Sequence, residues 1–253
     1  MSENAVEIHN LFKKYKVTNK ENCVINDLNL TIKEHEFVSV LGYTGCGKST
    51  LLRIICGLES YEDGEVLIFG EKNNKPTKDT ILIYQDLNQL FPWKTALKNI
   101  TYVLRKTSKK MKRRDAVAKA EKFLEEVGLK EFANYFPHQM SGGMRQRCAV
   151  ARALSMNPRM LLMDEPFSAL DEVNRRKLQT LCRNVFENNN LTVLFVTHSV
   201  DESISLSDRI VIMGKNDGNI IGVLENTYQY NKTEEQRMYM RNRIMKLLNS
   251  QYM

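Results

Sequence analysis

Short apolar runs rich in Val, Ile and Leu recur along this chain, separated by longer polar stretches. Runs of this kind are typical of strands in a parallel sheet that is covered on both faces. Helical stretches lie between several of them, as a β-α-β architecture requires. The pattern therefore predicts an α/β fold whose strands are Phe37 to Leu41, Glu65 to Phe69, Ile81 to Tyr84, Met160 to Met163, Val193 to Val196 and Ile210 to Met213.

The segment from about residue 86 to residue 157 has a different, mainly helical pattern. Residues 115–127 show helix-like periodicity, and Asn157 with Pro158 marks the end of a last helix. We interpret this segment as a helical subdomain inserted in the core. The tail, residues 225–253, is polar and then weakly amphipathic. We expect it to be a C-terminal helical extension that packs on its own domain, which spans residues 1–224.

The composition is that of an ordinary globular protein, with 253 residues, 42% hydrophobic and 26% charged. No apolar run reaches the roughly 20 residues that a membrane-spanning helix needs, and the N-terminus does not resemble a signal peptide. We therefore expect a cytoplasmic protein, unless a partner holds it at a membrane. The five cysteines are scattered and never spaced C-x-x-C, so we expect reduced thiols rather than disulfides or a zinc site.

A strongly basic run lies in the helical segment, where seven of the ten residues from Arg105 to Arg114 are Lys or Arg. Such a run can bind nucleic acid or anionic lipid, or it can form a solvated helix face. No aromatic residue interleaves it, which weakens a single-strand-binding function. We favour the solvated face and expect no nucleic-acid partner.

The strongest chemical signal is a phosphate-binding loop of the form G-x-x-x-x-G-K-[ST], which follows the first predicted parallel strand and precedes a helix. Glycines let successive backbone N–H groups converge on phosphate oxygens, and the helix N-terminus favours an anion. Lys48 is expected to contact the β- and γ-phosphates of ATP, and Ser49 to bind Mg²⁺. The predicted nucleotide contacts of the loop are Gly42, Gly45, Cys46, Gly47, Lys48, Ser49 and Thr50.

A second strand ends in two carboxylates, Asp164 and Glu165, downstream of this loop. Asp164 at the strand tip can hold the Mg²⁺ shell. Glu165 can polarise the attacking water as a general base. Any strand can end in Asp-Glu, so this pair gains its meaning from the phosphate loop that precedes it.

A third signal is the string Met-Ser-Gly-Gly-Met-Arg-Gln-Arg at residues 140–147, ahead of another predicted helix. Ser141 with the backbone of Gly142 and Gly143 would again present a helix N-terminus to an anion. A plain capped helix start is the alternative.

With these three signals in order, the chain resembles the ATP-binding cassette family over nearly all of residues 1–224. The resemblance implies a P-loop NTPase (RecA-like) core with an N-terminal antiparallel β subdomain and an inserted helical subdomain. It also implies that Tyr15 stacks on adenine and that Gln85 senses Mg²⁺ and the attacking water. By the same resemblance, Asp171 ends the D-loop and His198 is the switch histidine that contacts the γ-phosphate.

The resemblance also implies a function, ATP hydrolysis that energises a transporter. Local strings such as Leu-Phe-Pro-Trp-Lys-Thr at residues 90–95 are similar to the importer branch for small anions such as nitrate, sulfonate, taurine or bicarbonate. Met140 and Met144 depart from the usual Leu and Gln of the signature, but the serine and both glycines remain. The implied partners are a second, identical ATP-binding subunit, an integral membrane permease and, indirectly, an extracytoplasmic solute-binding protein. The chain would then lie peripherally on the cytoplasmic face of the membrane.

The alternative function is a soluble, non-transport ATPase of the same family, for example in iron–sulfur assembly or linked to nucleic acid. A P-loop kinase or GTPase is a third class of function. The Ser-Gly-Gly string and His198 argue against it.

Two further expectations concern single side chains. Backbone N–H groups and a helix N-terminus are expected to lower the pKa of the Cys46 thiol and raise its reactivity, unless Cys46 is simply a small buried residue that fits the loop. Phe91 and Trp93 are expected to line a groove that receives a short helix of the membrane subunit, unless they pack inside their own subdomain.

Overall fold

The computed structural model describes residues 3–17, 20–108, 110–168, 170–215, 217–226 and 233–250. The strands are β1 (Asn4–Val17), β2 (Lys20–Lys33), β3 (Phe37–Leu41), β4 (Asp63–Ile68), β5 (Glu71–Lys72), β6 (Thr80–Ile83), β7 (Met160–Asp164), β8 (Thr192–Thr197), β9 (Arg209–Met213) and β10 (Ile220–Glu225). The α-helices are α1 (Lys48–Ile55), α2 (Ala96–Thr107), α3 (Arg113–Glu126), α4 (Gly142–Leu154), α5 (Glu172–Asn189), α6 (Val200–Leu206) and α7 (Glu234–Asn249).

A six-stranded sheet with the order β10-β9-β3-β8-β7-β6 forms the centre of the fold. All neighbouring strands are parallel except β10, which is antiparallel to β9. Strands β3, β7 and β8 are buried along their whole length, because helices or a second sheet cover both faces. Five of the six apolar runs in the sequence form strands of this sheet, which confirms the α/β prediction.

The remaining apolar run, at residues 65–69, does not belong to the parallel sheet. It forms β4, in a separate antiparallel sheet with the order β2-β1-β4-β5. The alternating exposure of β4 shows why, because only one of its faces is buried. The run also ends one residue early, since Phe69 has a φ of 52° and leaves the strand.

The antiparallel sheet packs on the face of the central sheet that carries α1. Its inward residues, which include Ile8 and Leu28, share one apolar cluster with Val38 of β3, Leu51 of α1 and Val196 of β8. This packing fixes the long β1–β2 hairpin beside the start of α1.

Helices α2, α3 and α4 pack around their own apolar cluster, to which Ile100, Leu104, Leu124 and Cys148 contribute. The other face of α4 joins the central core, where Leu154 packs in the cluster of β7 and β8. One helix therefore connects the helical segment to the edge of the central sheet.

The C-terminal helix α7 packs on the chain's own core, as the sequence predicts. Met240, Ile244 and Leu248, one turn apart along α7, contact the cluster that contains Leu41 and Ile212. The division of the chain near residue 224 stays a prediction, and residues 227–232 of the predicted extension lie outside the described part. Among the described residues, no helix combines the length and the apolar character needed to cross a bilayer.

Candidate nucleotide-binding and hydrolysis site

The carboxyl ends of three adjacent parallel strands bring the predicted catalytic segments to one edge of the central sheet. Leu41 of β3 is in register with Thr197 of β8, and Asp164 of β7 with Val196 of β8. The phosphate loop directly follows β3, the switch histidine directly follows β8, and the carboxylate pair lies at the end of β7. Ligands in open α/β sheets bind at this carboxyl edge.

The phosphate loop depends on glycine at three positions. Gly45 and Gly47 have φ angles of 85° and 101°, which side-chain-bearing residues rarely adopt. At Gly42, an added Cβ would lie 2.8 Å from the sulfur of Cys46 and 2.9 Å from the carbonyl oxygen of Met213. The loop can therefore curl tightly before α1 begins at Lys48.

The Lys48 ammonium is buried at the centre of this loop. It donates hydrogen bonds to the carbonyl oxygens of Gly42 (2.9 Å) and Tyr43 (2.8 Å), and its nitrogen lies 3.9 Å from an oxygen of Glu165. A buried charge needs such partners, and here they hold it beside the expected phosphate position.

Ser49 and Asp164 meet between α1 and the end of β7. The Ser49 hydroxyl donates to Asp164 Oδ1 at 2.9 Å, and Asp164 is only 7% exposed. Burial is the main cause that raises the pKa of the Asp164 carboxyl, and the nearby charge of Glu165 adds to it. A hydroxyl and a carboxylate oxygen are ligands that Mg²⁺ prefers, so this pair fits the predicted metal site.

Glu165 lies between the lysine and the switch histidine. Its Oε2 atom is 3.0 Å from His198 Nδ1, and because an ionised carboxylate only accepts, the imidazole N–H donates. The Glu165 backbone has a φ of 43°, a conformation that costs a side-chain-bearing residue energy. Its N–H donates to the carbonyl of Val196 at 3.1 Å, which holds the residue in this conformation.

Gln85 contacts the segment that follows Glu165. Its amide donates to the Ser168 hydroxyl at 3.3 Å, and that hydroxyl donates to the Glu165 carbonyl at 2.9 Å. Gln85 and Asp164 also line one cavity of about 460 Å³. The structure therefore brings the predicted metal-sensing residues together.

The signature segment and the D-loop meet through Asn174, which the sequence analysis missed. An added Cβ on Gly143 would lie 2.9 Å from Asn174 Cγ. Asp171 caps α5 by accepting from the backbone N–H of Asn174 (2.9 Å) and from its side-chain amide (2.6 Å). The backbone bond is the first cause that lowers the pKa of the Asp171 carboxyl.

Ser141 caps α4, accepting from the N–H of Met144 at 3.3 Å. The helix start is therefore capped, and anion binding at this helix start stays a prediction. An added Cβ on Gly142 would lie 3.1 Å from a methyl group of Leu87, which is a close contact but looser than those of Gly42 and Gly47 in the phosphate loop. The signature contacts Leu87 and α5, whereas the phosphate loop contacts Asp164, Glu165 and Met213.

Tyr15 lies on β1, opposite Asn22 of β2, with the Lys13 ammonium 4.8 Å from its ring centroid. The same hairpin approaches the phosphate loop at Val24, whose carbonyl oxygen is 2.9 Å from the Cβ position of Gly47. The role of Tyr15 in adenine stacking stays a prediction.

Cys46 does not have the environment of a reactive thiol. Its side chain is 2% exposed and packs in the main apolar cluster. Burial is the largest effect and raises the pKa of the thiol, outweighing the opposite effect of Lys48. The expected pKa depression is therefore wrong, and the alternative of a small buried residue that fits the loop is correct.

A buried carboxylate behind the switch histidine is a further feature that sequence reasoning missed. Glu202 on α6 is 8% exposed, and its Oε2 accepts from the Thr197 hydroxyl at 2.5 Å. Burial raises the pKa of the Glu202 carboxyl. Arg175 links it to the D-loop, with its Nε 4.0 Å from Glu202 and an N–H donated to the Leu170 carbonyl at 3.0 Å. The sequence signal that could have revealed Glu202 is its position in the first turn of a helix, four residues after His198.

This fold and this edge define a P-loop nucleoside triphosphatase with an inserted helical subdomain and a second glycine-rich helix start. The family described as ABC transporter matches residues 25–168. The chain belongs to the ABC transporter family, as an ATP-binding subunit that hydrolyses ATP.

Two groups of relatives are similar over most of this chain. The aliphatic sulfonates import ATP-binding protein SsuB of Bacillus thuringiensis subsp. konkukian is 42% identical over 88% of this chain and 87% of its own length. The bicarbonate transport ATP-binding protein CmpC of Synechococcus elongatus is 39% identical over 86% of this chain but only 33% of its own length. Among solved structures, a dimeric post-hydrolysis state of the ATP-binding cassette MJ0796 bound to ADP and Pi has a TM-score of 0.78 at 34% identity, covering 87% of this chain and 98% of that one. These relatives support a transporter subunit over the soluble non-transport ATPase.

Proposed function

We propose that this chain energises the import of a small anion, such as a sulfonate, bicarbonate, nitrate or taurine, as the peripheral ATPase of a membrane transporter on its cytoplasmic face. The observation that carries the ATPase assignment is Glu165, held between Lys48 and His198 at the strand edge. The names of the relatives, import of aliphatic sulfonates and transport of bicarbonate, support the anion class.

In the proposed reaction, Lys48 turns from the loop carbonyls to the β- and γ-phosphates of ATP. Ser49, Asp164 and Gln85 would hold Mg²⁺, which when bound supplies charge neutralisation on the phosphates. Glu165 accepts a proton from the water that attacks the γ-phosphorus, and ADP leaves with the bridging oxygen. His198 orients Glu165 and faces the γ-phosphate from the end of β8.

Two copies of the chain are proposed to complete each site. The phosphate loop and the signature have different partners within one chain, as described above. Each ATP would lie between the phosphate loop of one copy and Ser141, Gly143 and Asp171 of the other. Helix α4, capped by Ser141, then presents its N-terminus to the γ-phosphate. The dimeric form of the similar cassette MJ0796 supports this arrangement.

The proposed contact with the membrane permease involves Phe91 and Trp93. Leu90 is buried in the helical cluster, but Trp93 is 69% exposed, which favours a docking surface over core packing for the tryptophan. Phe91 is half-buried, with its ring centroid 5.7 Å from that of Trp93 and 5.3 Å from that of Tyr102. The segment that begins at Gln85 leads directly to these rings, so a shift at the nucleotide can move the docked partner.

Co-purification tests the proposed function. The chain is co-expressed with a polytopic permease subunit of the sulfonate or bicarbonate type, and the membrane fraction is solubilised and purified through the permease. We expect the chain to co-purify, and its ATPase to rise when the solute and an extracytoplasmic solute-binding protein are added. A chain that remains in the soluble fraction, with ATPase unaffected by permease and solute, would support the non-transport alternative instead.

A further inference from the structure

A groove of about 560 Å³ runs along the outer face of α2 to the start of α3. Its lining contains five cations and no carboxylate, and we call it the basic groove: Lys94, Lys98, Thr101, Tyr102, Arg105, Lys106 and Arg113. It gathers part of the basic run noted in the sequence together with Lys94, which precedes α2, and Lys98 in the first turn of α2. Neither nucleotide binding nor hydrolysis uses these side chains.

The cations of the basic groove contrast with those basic residues of the chain that have a carboxylate partner. Glu59 and Glu62 accompany Lys13, and Glu36 accompanies Arg209. In the described part of the chain, none of the five groove cations has a carboxylate within ion-pair distance. Like charges that share one surface repel each other. An external anion would remove this repulsion.

The aromatic side chains beside the groove limit which kind of anionic partner it can bind. The face of Tyr102 is occupied, because the ammonium groups of Lys94 and Lys106 lie 4.9 and 5.8 Å from its centroid, and Phe91 packs edge-on. Nucleic-acid bases therefore lack a free ring within the groove lining on which to stack. The lining also contains no Leu, Ile, Val or Met side chain against which a docked helix could anchor its apolar residues.

A membrane surface matches what remains. Clusters of Lys and Arg bind anionic phospholipid headgroups, and Trp and Tyr side chains prefer the headgroup level of a bilayer. Tyr102 lies in the groove lining. We propose that the basic groove binds the anionic headgroups of a phospholipid bilayer, beside the surface at Phe91 and Trp93 that is proposed to contact the permease. This inference rests on the proposed function, which places the helical subdomain near a membrane.

The test uses the purified full chain, without any permease, and vesicles of phosphatidylcholine alone or mixed with phosphatidylglycerol. Binding is measured by co-sedimentation and by the fluorescence of Trp93, the single tryptophan of the chain. We expect binding and a blue shift with the anionic vesicles only, weakening as salt is raised. The variant Lys98→Glu with Arg105→Glu should bind at least about tenfold more weakly.

The matched control is Lys119→Glu with Lys122→Glu, which makes the same change in net charge on exposed positions of α3 outside the groove. It should bind nearly as the wild type does. Equal loss in both variants, or equal binding to neutral vesicles, would overturn the proposal. So would tighter groove-dependent binding of polyuridylate or polyglutamate, which would assign the groove to nucleic acid or to an acidic protein segment.

The basal ATPase of both variants, measured without vesicles, should equal that of the wild type. A failure of vesicle binding leaves co-purification with the permease untouched, so the two proposals fail separately.

Discussion

The nucleotide edge of the central sheet and the basic groove of the helical subdomain treat charge in opposite ways. At the edge, Lys48 donates to two carbonyls, Asp164 accepts from Ser49, and Glu165 accepts from His198. In the groove, five cations share one surface without a carboxylate. The edge is therefore preorganised for a reaction, whereas the groove is suited to a large external anion.

The difference has a physical origin in burial. Strand ends in a fully buried parallel sheet leave polar groups little water, so each must find a partner within the chain. The outer face of α2 remains hydrated, and unpaired cations there cost little. Buried, paired charges thus lie where the reaction is proposed to occur, and exposed, unpaired charges lie where an external partner is proposed to bind.

The largest expected effect removes the base at the edge. Glu165→Gln should lower the turnover number for ATP by about 10²- to 10⁴-fold, because the amide cannot accept the proton of the attacking water. ATP binding should persist, and an ATP-dependent dimer should accumulate on size exclusion. Near-normal turnover would show that another group is the base. Glu172→Gln, an exposed carboxamide substitution on α5, is the control and should leave turnover intact.

A second change tests whether the signature contributes to a site completed by another copy. Gly143→Ala should abolish the ATP-dependent dimer and lower turnover by at least about tenfold, since its Cβ would obstruct the close backbone approach to phosphate. Its clash with Asn174, at 2.9 Å, is a local alternative cause. Gly143→Ala combined with Asn174→Ala relieves that clash. Restored dimerisation in the double variant would mean that packing within one chain, not phosphate contact, requires the glycine.

A third change separates the edge from the proposed docking surface. Phe91→Ala with Trp93→Ala should weaken permease binding and uncouple transport, while the isolated chain still folds and binds ATP. Solute-stimulated ATPase of the assembled transporter and basal ATPase of the isolated chain are the two readouts. Tyr239→Ala, an exposed aromatic residue on α7, serves as the control. Unfolding of the double variant, or normal transport by it, would contradict the docking surface and support packing of these rings inside their own subdomain.

The smallest effect concerns stability and pH. Because burial raises the pKa of Asp164, its protonated form stabilises the fold at acid pH, and this contribution is lost as pH rises through that pKa. Asp164→Asn cannot undergo this loss. The Tm of the variant relative to wild type should therefore increase from acid to neutral pH without nucleotide, although its ATPase is lost.

Glu121→Gln, which alters an exposed carboxylate on α3, should show no such pH trend in Tm. A constant difference in Tm between Asp164→Asn and wild type across this pH range would contradict the effect of burial on Asp164.

The sequence by itself determined the local chemistry of this protein. The phosphate loop, the Asp-Glu pair and the signature are contiguous strings whose residue types already specify tight turns, phosphate contacts and oxygen ligands. Five parallel strands were equally readable, because strands buried on both faces leave uninterrupted apolar runs. The order of these strings along the chain was enough to indicate the family, which the comparisons confirm.

Tertiary structure decided what depends on contacts between distant segments. An apolar run of five residues does not reveal which sheet it joins, so the prediction of a parallel-sheet strand at residues 65–69 is wrong. The sequence neighbours of Cys46 suggested an activated thiol, but the apolar cluster around it has the larger effect on its pKa. The contacts of Asn174 and Glu202, and the convergence of unpaired cations along α2, arise only when the helices are packed. Burial and pairing of charge are properties of the folded chain, and no local string encodes them.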